Sequence, residues 1–464
     1  MAEAKYDFRN LGAYLEKVGS HAIRRSPLFA RSGGLPVTCF REGLARWANR
    51  RFYYGWVVLG VAALGIFVSG PGQSHTFSVF VGPIGRDLDL SGTAIASAYG
   101  VATLVAAFCL PLMGRLLDRK GPRSMLVLVT LLLGLAGIAF AAAAGMFWLA
   151  LGFAALRFLG QGSLMLCCAN LVARWFDRRR GVALSLMALG FAASMAVHPP
   201  ASQWLIELLG WREAWLILGL VTWALMLPPL LLLVFDEPAT LGLLPDGGPA
   251  LGGDERAPAP AAPAAVNAVE LTLDQALRTP AFYIVTAGLF SLSMLVTALH
   301  FFQVSIFAAH GIDARTAAQV FAVSAITMVL TMPLIGGMLD RYRTERMFAG
   351  GLVVMVASLV SATLVEGLWT ALAYAVVFGL NNAVTMIYFA FMYPRYFGLR
   401  HLGSIQGTGQ MIAVVGASLG PLPLGLAQDV FGSYNPMLLG LTLIPACLAV
   451  VALFLRDPKP AETR

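Results

Sequence analysis

The chain reads as an all-α membrane protein of twelve transmembrane helices in two pseudo-symmetric six-helix bundles, and three observations carry that reading. Of its 464 residues, 58% are hydrophobic and 12% charged, with a mean hydropathy of +0.75, a balance too apolar for a soluble globular chain of this length. Twelve runs reach the roughly 20 apolar residues that a helix needs to cross about 30 Å of hydrocarbon. The phrase Gly114-Arg-Leu-Leu-Asp118-Arg119-Lys-Gly121-Pro-Arg123 recurs in outline 222 residues later as Gly336-Gly-Met-Leu-Asp340-Arg341. The same offset carries Gly181 onto Gly403, Pro199 onto Pro421, Glu207 onto Asp429 and Gly210 onto Gly432, with no insertion between them. Half of the chain has been duplicated in parallel.

The twelve runs cover 54–82, 91–115, 122–144, 146–174, 181–206, 213–235, 281–309, 315–339, 346–365, 368–394, 402–428 and 434–455. They divide the chain into an N-terminal tail (1–52), a first six-helix bundle (53–236), a linker (237–279), a second bundle (280–456) and a short C-terminal tail (457–464). In the tail, Phe8, Leu11, Leu15 and Val18 recur at helical spacing among charges, a pattern that permits a surface-lying helix or a frayed segment. No cleavable leader is expected, because charges, Gly and Pro interrupt residues 1–52 and the first apolar run follows directly. The linker turns abruptly to Pro, Ala, Gly and acidic residues, the composition of a solvated connection. At its end, Thr272-Leu-Asp-Gln-Ala-Leu predicts a short amphipathic turn ahead of the seventh helix.

Charge sets the orientation. With the N-terminus in the cytoplasm, 28 of the 32 lysines and arginines fall on cytoplasmic segments, Arg86, Arg212 and Arg315 on outer loops, and Arg157 inside a helix. The formal net charge of +8 therefore reports topology, and no basic patch interleaved with aromatics points to nucleic acid. Both termini are expected in the cytoplasm of a multi-pass protein of the plasma or bacterial inner membrane. The five cysteines show neither CxxC nor CxxxH spacing, so neither disulfide nor metal is implied. Gly416-Ala-Ser418-Leu-Gly420 fits the GxSxG string of a hydrolase elbow, but it lies in an apolar helix, where Gly416 and Gly420 make a packing face. There is no P-loop and no HExxH. No cofactor and no enzymatic activity are expected.

On these residues a resemblance can be stated. Gly114-x-Leu-x-Asp118-Arg119-x-Gly121-x-Arg123 resembles the signature between the second and third helices of the major facilitator superfamily, with Gly336, Asp340 and Arg341 as its degenerate copy between the eighth and ninth. The resemblance covers residues 53–456 and implies that fold: two six-helix halves alternating access to a central site. It makes Gly114, Asp118, Arg119, Gly121, Arg123, Gly336, Asp340 and Arg341 a conformational latch, in which the glycines allow close helix approach and Asp118 holds arginines or a helix N-terminus across the halves. Tyr54-Gly-Trp56-Val-Val, Trp175-Phe176-x-x-x-Arg179-Arg180-Gly181 and Phe397-Gly398 with Gly403, Gly407 and Gly420-Pro421 are similar to the monocarboxylate and oxalate/formate branch and its bacterial relatives. The eighth and eleventh helices lack the cation that carboxylate carriers of that branch often place there.

Arg157 is the formal charge deep in the spans, about 10 residues or about 15 Å from the outer end of its helix. Placing arginine at mid-bilayer costs roughly 2.5 to 3.5 kcal/mol on insertion scales, so it must face water, an anion or a partner. It either binds substrate or hydrogen-bonds carbonyls of neighbouring helices. No Asp or Glu lies at that depth, which favours an anionic cargo and leaves coupled protons to histidine or to the substrate. His75, His198 and His300 lie in the outer third of their helices, and His75 and His300 are placed to titrate at an outer gate. Gln73, Gln161, Gln303, Asn381 and Asn382 lie on the helices that line the cavity in the superfamily, with hydrogen-bonding to a polar substrate and interhelical packing as their two uses.

The sequence thus predicts a secondary transporter, expected to act as a monomer, for a small organic anion of monocarboxylate type, by proton symport or exchange. The substrate site is expected at Arg157, Gln161, Gln73, His75, His300, Gln303, Asn381 and Asn382. The rival readings are an exporter of neutral or amphipathic compounds and a non-transporting sensor on the same fold. Topology is testable at once: cysteines introduced at Gly248 and Asp313 should label with an impermeant reagent from opposite sides of the membrane, and labelling from one side would refute the twelve-span reading.

Overall fold

A computed structural model of the chain describes residues 41, 43, 45, 48, 49, 51–247, 271–398 and 401–458. The N-terminal segment 8–18, read as a surface-lying helix or a frayed segment, and the Pro/Ala-rich part of the linker lie outside the described residues. The described residues contain helices and no strand. Eleven helices are long and apolar enough to cross a membrane: α2 (Gly92–Lys120), α3 (Pro122–Phe140), α4 (Met146–Trp175), α5 (Arg180–Leu209), α6 (Trp211–Leu233), α7 (Pro280–Ala309), α8 (Ala314–Arg341), α9 (Thr344–Thr363), α10 (Leu368–Phe397), α11 (Leu402–Phe431) and α12 (Asn435–Ala452). Ahead of them stands the shorter apolar helix α1 (Gly55–Val68).

The first apolar run departs from the continuous helix expected over 54–82. After α1 the chain makes a tight turn at Gly70–Gly72, passes through an extended Gln73 (φ −98°, ψ 147°), resumes helix at Ser74–Phe77, and ends in an outer helix at Val81–Leu88. Gly70-Pro71-Gly72 is the cause, since proline supplies no backbone N–H and the flanking glycines carry no side chain to favour helix. The break exposes main-chain carbonyls in the interior, where they must find donors.

The duplication is visible in the helix bounds. α4 and α10 begin and end 222 residues apart to the residue, as do α5 and α11, and α2 and α8 begin at that offset. Local chemistry closes the helix ends. Ser91 accepts from the Ala94 amide at 3.2 Å to start α2, and Asp313 accepts from the Thr316 amide at 2.8 Å to start α8. That bond holds the Asp313 carboxyl below the usual carboxylate range. A capping box of Thr272 and Gln275 starts the short helix Leu273–Leu277 expected before α7. Asp236 at the end of α6 accepts from the Arg123 amide at 2.9 Å at the start of α3. Asp246 collects the amides of Asp177 and Arg178 at 2.9 and 2.6 Å, binding the linker to the α4–α5 loop. Beside it, burial and the Asp246 charge push the Tyr53 hydroxyl up to about 12.

The halves meet at the end opposite the arginine-rich loops. There Asp429 of α11 accepts from the amides of Gly92 and Thr93 at 3.2 and 2.8 Å, Arg315 pairs with Glu207 at 3.6 Å, and Ser78 accepts from the Val304 amide at 3.1 Å. A Cβ on Gly425 would meet the Gly92 carbonyl oxygen at 2.7 Å, and one on Gly100 the Ser418 carbonyl oxygen at 2.6 Å. At the basic end the contrast is sharp: a Cβ on Gly114, Gly336, Gly337, Gly403 or Gly407 would meet nothing within 4 Å. Val182, Leu186, Leu334 and Met338 stand exposed near that end. The close approach expected at Gly114 and Gly336 is therefore not made in this state, which is open toward the basic end.

Elsewhere glycine contacts are made and carry stability. A Cβ on Gly160 would fall 2.9 Å from the Gly72 Cα and 3.0 Å from the Ser69 carbonyl oxygen, both backbone atoms that cannot swing away. Gly160→Ala should therefore lower the thermal stability of the purified protein by about 1 to 3 kcal/mol, while Gly350→Ala, with open space around it, should not. Equal melting temperatures for the two variants would contradict this packing.

Candidate functional site

The site begins where α1 breaks. Opposite the break, α4 widens to π-helical hydrogen bonding over Arg157–Leu164, a distortion frequent at functional sites. Gly72 and Gly160 bring the two backbones into contact across it. Arg157, 4% exposed, then lies against the freed carbonyl: Nη1 donates to Gly72 O at 3.2 Å and Ser74 Oγ at 3.5 Å, and Nε donates to Thr103 Oγ1 at 3.2 Å. Its guanidinium lies 4.9 Å from the ring centroid of Tyr99, and the Tyr99 hydroxyl shares a 2.7 Å hydrogen bond with Ser74. Nη2 has no partner among the described residues and is not one of the occluded polar atoms. No Asp or Glu of the described residues forms an ion pair with this charge.

Beside this cage the structure gathers three histidines. His75 Nε2 lies 3.1 Å from Ser194 Oγ, which lies 3.2 Å from His198 Nδ1, and His198 Nδ1 also lies 3.2 Å from the Ser194 carbonyl oxygen. If His198 donates to that carbonyl and Ser194 donates to His75, every one of these groups has a partner. The His75 and His300 rings, from opposite halves, lie 6.0 Å apart, with Phe321 near both and Phe378 4.8 Å from His300. His300 Nε2 is buried without a partner.

The amides separate into spent and unspent groups. Gln73 donates to Ser69 Oγ at 3.0 Å and lies 3.5 Å from the Met165 sulfur. Gln303 bonds the Ala317 carbonyl and accepts from Tyr374, and Asn382 donates to the Phe378 carbonyl on its own helix, so both serve packing within the second half. Gln161 has an occluded oxygen without a partner, and Asn381 has neither amide atom satisfied although the residue is fully buried. Asp118, Arg119, Asp340 and Arg341, expected to form a latch, are exposed at the basic end, where none of them makes a hydrogen bond or ion pair with a described residue.

Sequence reasoning passed over the cage of Ser74, Tyr99 and Thr103, and over Ser194. Ser194 and His198 share a helix face at i and i+4, which is legible, but its contact with α1 is tertiary. Gly160 and Gly162 lie inside the π-helical stretch, but two glycines within an apolar run do not by themselves signal it.

Comparison with known proteins agrees with this architecture. Human monocarboxylate transporter 11 is 28% identical over 398 residues, covering 82% of this chain and 79% of that protein. The 4-hydroxybenzoate transporter PcaK of Pseudomonas aeruginosa is 25% identical over 431 residues, covering 87% and 92%. A bacterial homologue of the human lysosomal transporter Spinster, solved inward-facing and unoccupied, superposes with a TM-score of 0.66 at 15% identity, covering 87% of this chain and 96% of that one. The Major Facilitator Superfamily profile matches residues 62–308 and 290–464. The chain belongs to the Major Facilitator Superfamily and is a multi-pass membrane transporter.

Proposed function

We propose that the protein carries a small organic anion of monocarboxylate type across the plasma or bacterial inner membrane, acting as a monomer with both termini in the cytoplasm. In that orientation the basic end is cytoplasmic and the state described above is open inward. The observation that carries the reading is Arg157: a buried cation with no carboxylate partner among the described residues, held by neutral groups that leave one guanidinium nitrogen unpaired. Neutral dipoles position such a charge without cancelling it, and an anion arriving beside it gains what the membrane otherwise withholds. The names of the two relatives, a monocarboxylate and a 4-hydroxybenzoate transporter, both specify carboxylates. Gln161 and Asn381 have unsatisfied polar atoms for the remainder of the substrate.

Coupling in this reading passes through the histidines, either as proton symport or as exchange. A proton reaching His75 Nε2 would make it a donor to Ser194 Oγ, whose hydroxyl would turn its own proton away from His75 while His198 Nδ1 keeps its bond to the Ser194 carbonyl. The His75–Ser194 hydrogen bond reverses without either ring moving. His300, the second ring of the seam, has an unpaired nitrogen facing no protein partner.

Arg157→Gln keeps hydrogen-bonding capacity and removes charge. It should weaken carboxylate binding by about 2 to 3 kcal/mol, the scale of a charge-assisted hydrogen bond, as read from ligand-induced thermal shifts of the purified protein. Arg157→Lys should recover part of the loss, because an ammonium cannot grip a carboxylate bidentately. If Arg157 only stitches α1 to α4, both variants lose stability while whatever folds binds normally. A folded Arg157→Gln protein with unchanged carboxylate affinity would refute the anion reading and favour an exporter of neutral compounds.

A further inference from the structure

Polar atoms that the second half leaves unpaired gather at one level. His300 on α7 packs its ring against Phe321 of α8 and Phe378 of α10, with centroids 6.1 and 4.8 Å away. One turn on from those two rings, on the same helix faces, stand Ser324 and Asn381. Both helices run toward the basic end, so these residues lie on the open side of the ring layer. α7 runs the other way, which sets Thr297, one turn before His300, on that side too. The Ser324 hydroxyl, both amide atoms of Asn381 and His300 Nε2 are buried without a partner. Thr297 makes no hydrogen bond with a described residue, and its hydroxyl is not occluded, so the group has an accessible edge.

The chemistry of this group is neutral. α7, α8 and α10 carry Asp, Glu, Lys and Arg only in their end turns, so nothing at this level balances a formal charge. An amide, two hydroxyls and an imidazole both donate and accept. Their match is an uncharged group that does both, a hydroxyl. A methyl terminus would leave the buried amide unpaired, and a second carboxylate would meet no cation. At the 222-residue offset Ser324 falls on Ala102 and Asn381 on Leu159, so this set belongs to the second half alone, as the cation belongs to the first. The His75 and His300 rings, 6.0 Å apart, stand between the two.

We propose that Asn381, Ser324, Thr297 and His300 Nε2 form a neutral hydrogen-bonding subsite that selects monocarboxylates bearing a hydroxyl remote from the carboxylate. The proposal deepens the anion reading and rests on it, with the carboxylate at Arg157 and the hydroxyl here. Selection comes from desolvation: a cargo without the hydroxyl leaves the buried amide unpaired, and a site built to hydrogen-bond a hydroxyl rejects the analogue lacking it far more strongly than an apolar pocket sorts by size.

Two series of probes that differ only at the far end test it: butanoate, 4-hydroxybutanoate and succinate, and the longer hexanoate, 6-hydroxyhexanoate and adipate, each titrated calorimetrically into the purified protein. In at least one series the hydroxy acid should bind about tenfold tighter than both its parent and its dicarboxylate. Asn381→Leu, apolar and similar in size, should reduce that preference to about twofold or less by weakening the hydroxy acid and not the parent. Arg157→Gln should weaken parent and hydroxy acid alike and leave their ratio unchanged. Equal binding of parent and hydroxy acid in both series, or a tenfold preference retained by folded Asn381→Leu, would overturn the subsite while leaving the anion reading intact. Unchanged affinities in Arg157→Gln would overturn the anion reading, and the ratio would still decide the subsite; binding of no carboxylate overturns both. Should Asn381→Leu not fold, Ser324→Ala decides: a preference reduced severalfold supports the subsite, and an unchanged one overturns it.

Discussion

Everything near the centre of this protein answers to one constraint: a guanidinium lies inside an apolar slab without a carboxylate beside it. The charge must be solvated by dipoles, and in a membrane interior the main chain is the available source, provided that some helix gives up its own hydrogen bonds. α1 does so at Gly70-Pro71-Gly72, and the Gly72 carbonyl turns to Arg157. α4 answers with a π-helical stretch that begins at Arg157, and with Gly160, which lets the two irregular segments touch. Had α1 continued as regular helix, that carbonyl would be bonded within its own helix and Arg157 would have to find its acceptor elsewhere.

The duplication shows how one scaffold holds this chemistry in one half and omits it in the other. At the 222-residue offset Arg157 falls on Gly379, Tyr99 on Phe321 and Thr103 on Ala325. The hydroxyls and the cation have become apolar or vanished. Around Gly379 the space is taken by α8 itself, with the Ser324 carbonyl oxygen 2.5 Å from where a Cβ would stand. The second half thus packs α8 against α10 where the first half holds a charge, and its remaining polar atoms, on Ser324 and Asn381, lie buried without partners. Electrostatics belongs to one bundle and tight helix contact to the other, although the helix bounds are nearly the same.

What the sequence disclosed follows from which properties average and which do not. Hydropathy is a window average, so eleven spans and their repeat were legible, and so was the position of Arg157 within one of them. The same averaging hid the break in α1, because Gly70, Pro71 and Gly72 sit inside an apolar run and raise no polar signal. Amides could not be sorted: Gln303 and Asn381 look alike in sequence, yet one is satisfied by Tyr374 and Ala317 and the other by nothing. His75 and His300 were placed at a common level, but Ser194 between His75 and His198 depends on how α1 meets α5, which no local pattern encodes. The residues that resemble a latch could be named from sequence, but whether they are engaged could not, since the same letters serve either state.

That last ambiguity has a thermodynamic side. A carrier works only if its two end states lie within reach of the free energy that substrate binding supplies, since an imbalance of about 5.5 kcal/mol already separates a 1:99 from a 99:1 population. Charges buried at one gate alone would trap the protein there. Here the acidic groups of α2, α5, α8 and α11 stand in equal number at each face and at related positions. Glycines accompany them at both ends, pressed together at Gly92, Gly100 and Gly425 and open at Gly114, Gly336 and Gly403. A duplicated chain arrives at this balance without selecting each interaction separately, because the repeat writes the same helix ends twice and antiparallel pairing across the halves sets one pair of them at each face. What breaks the balance is then confined to the places where the copies differ, and Arg157, with a glycine at its related position, is the largest difference among them.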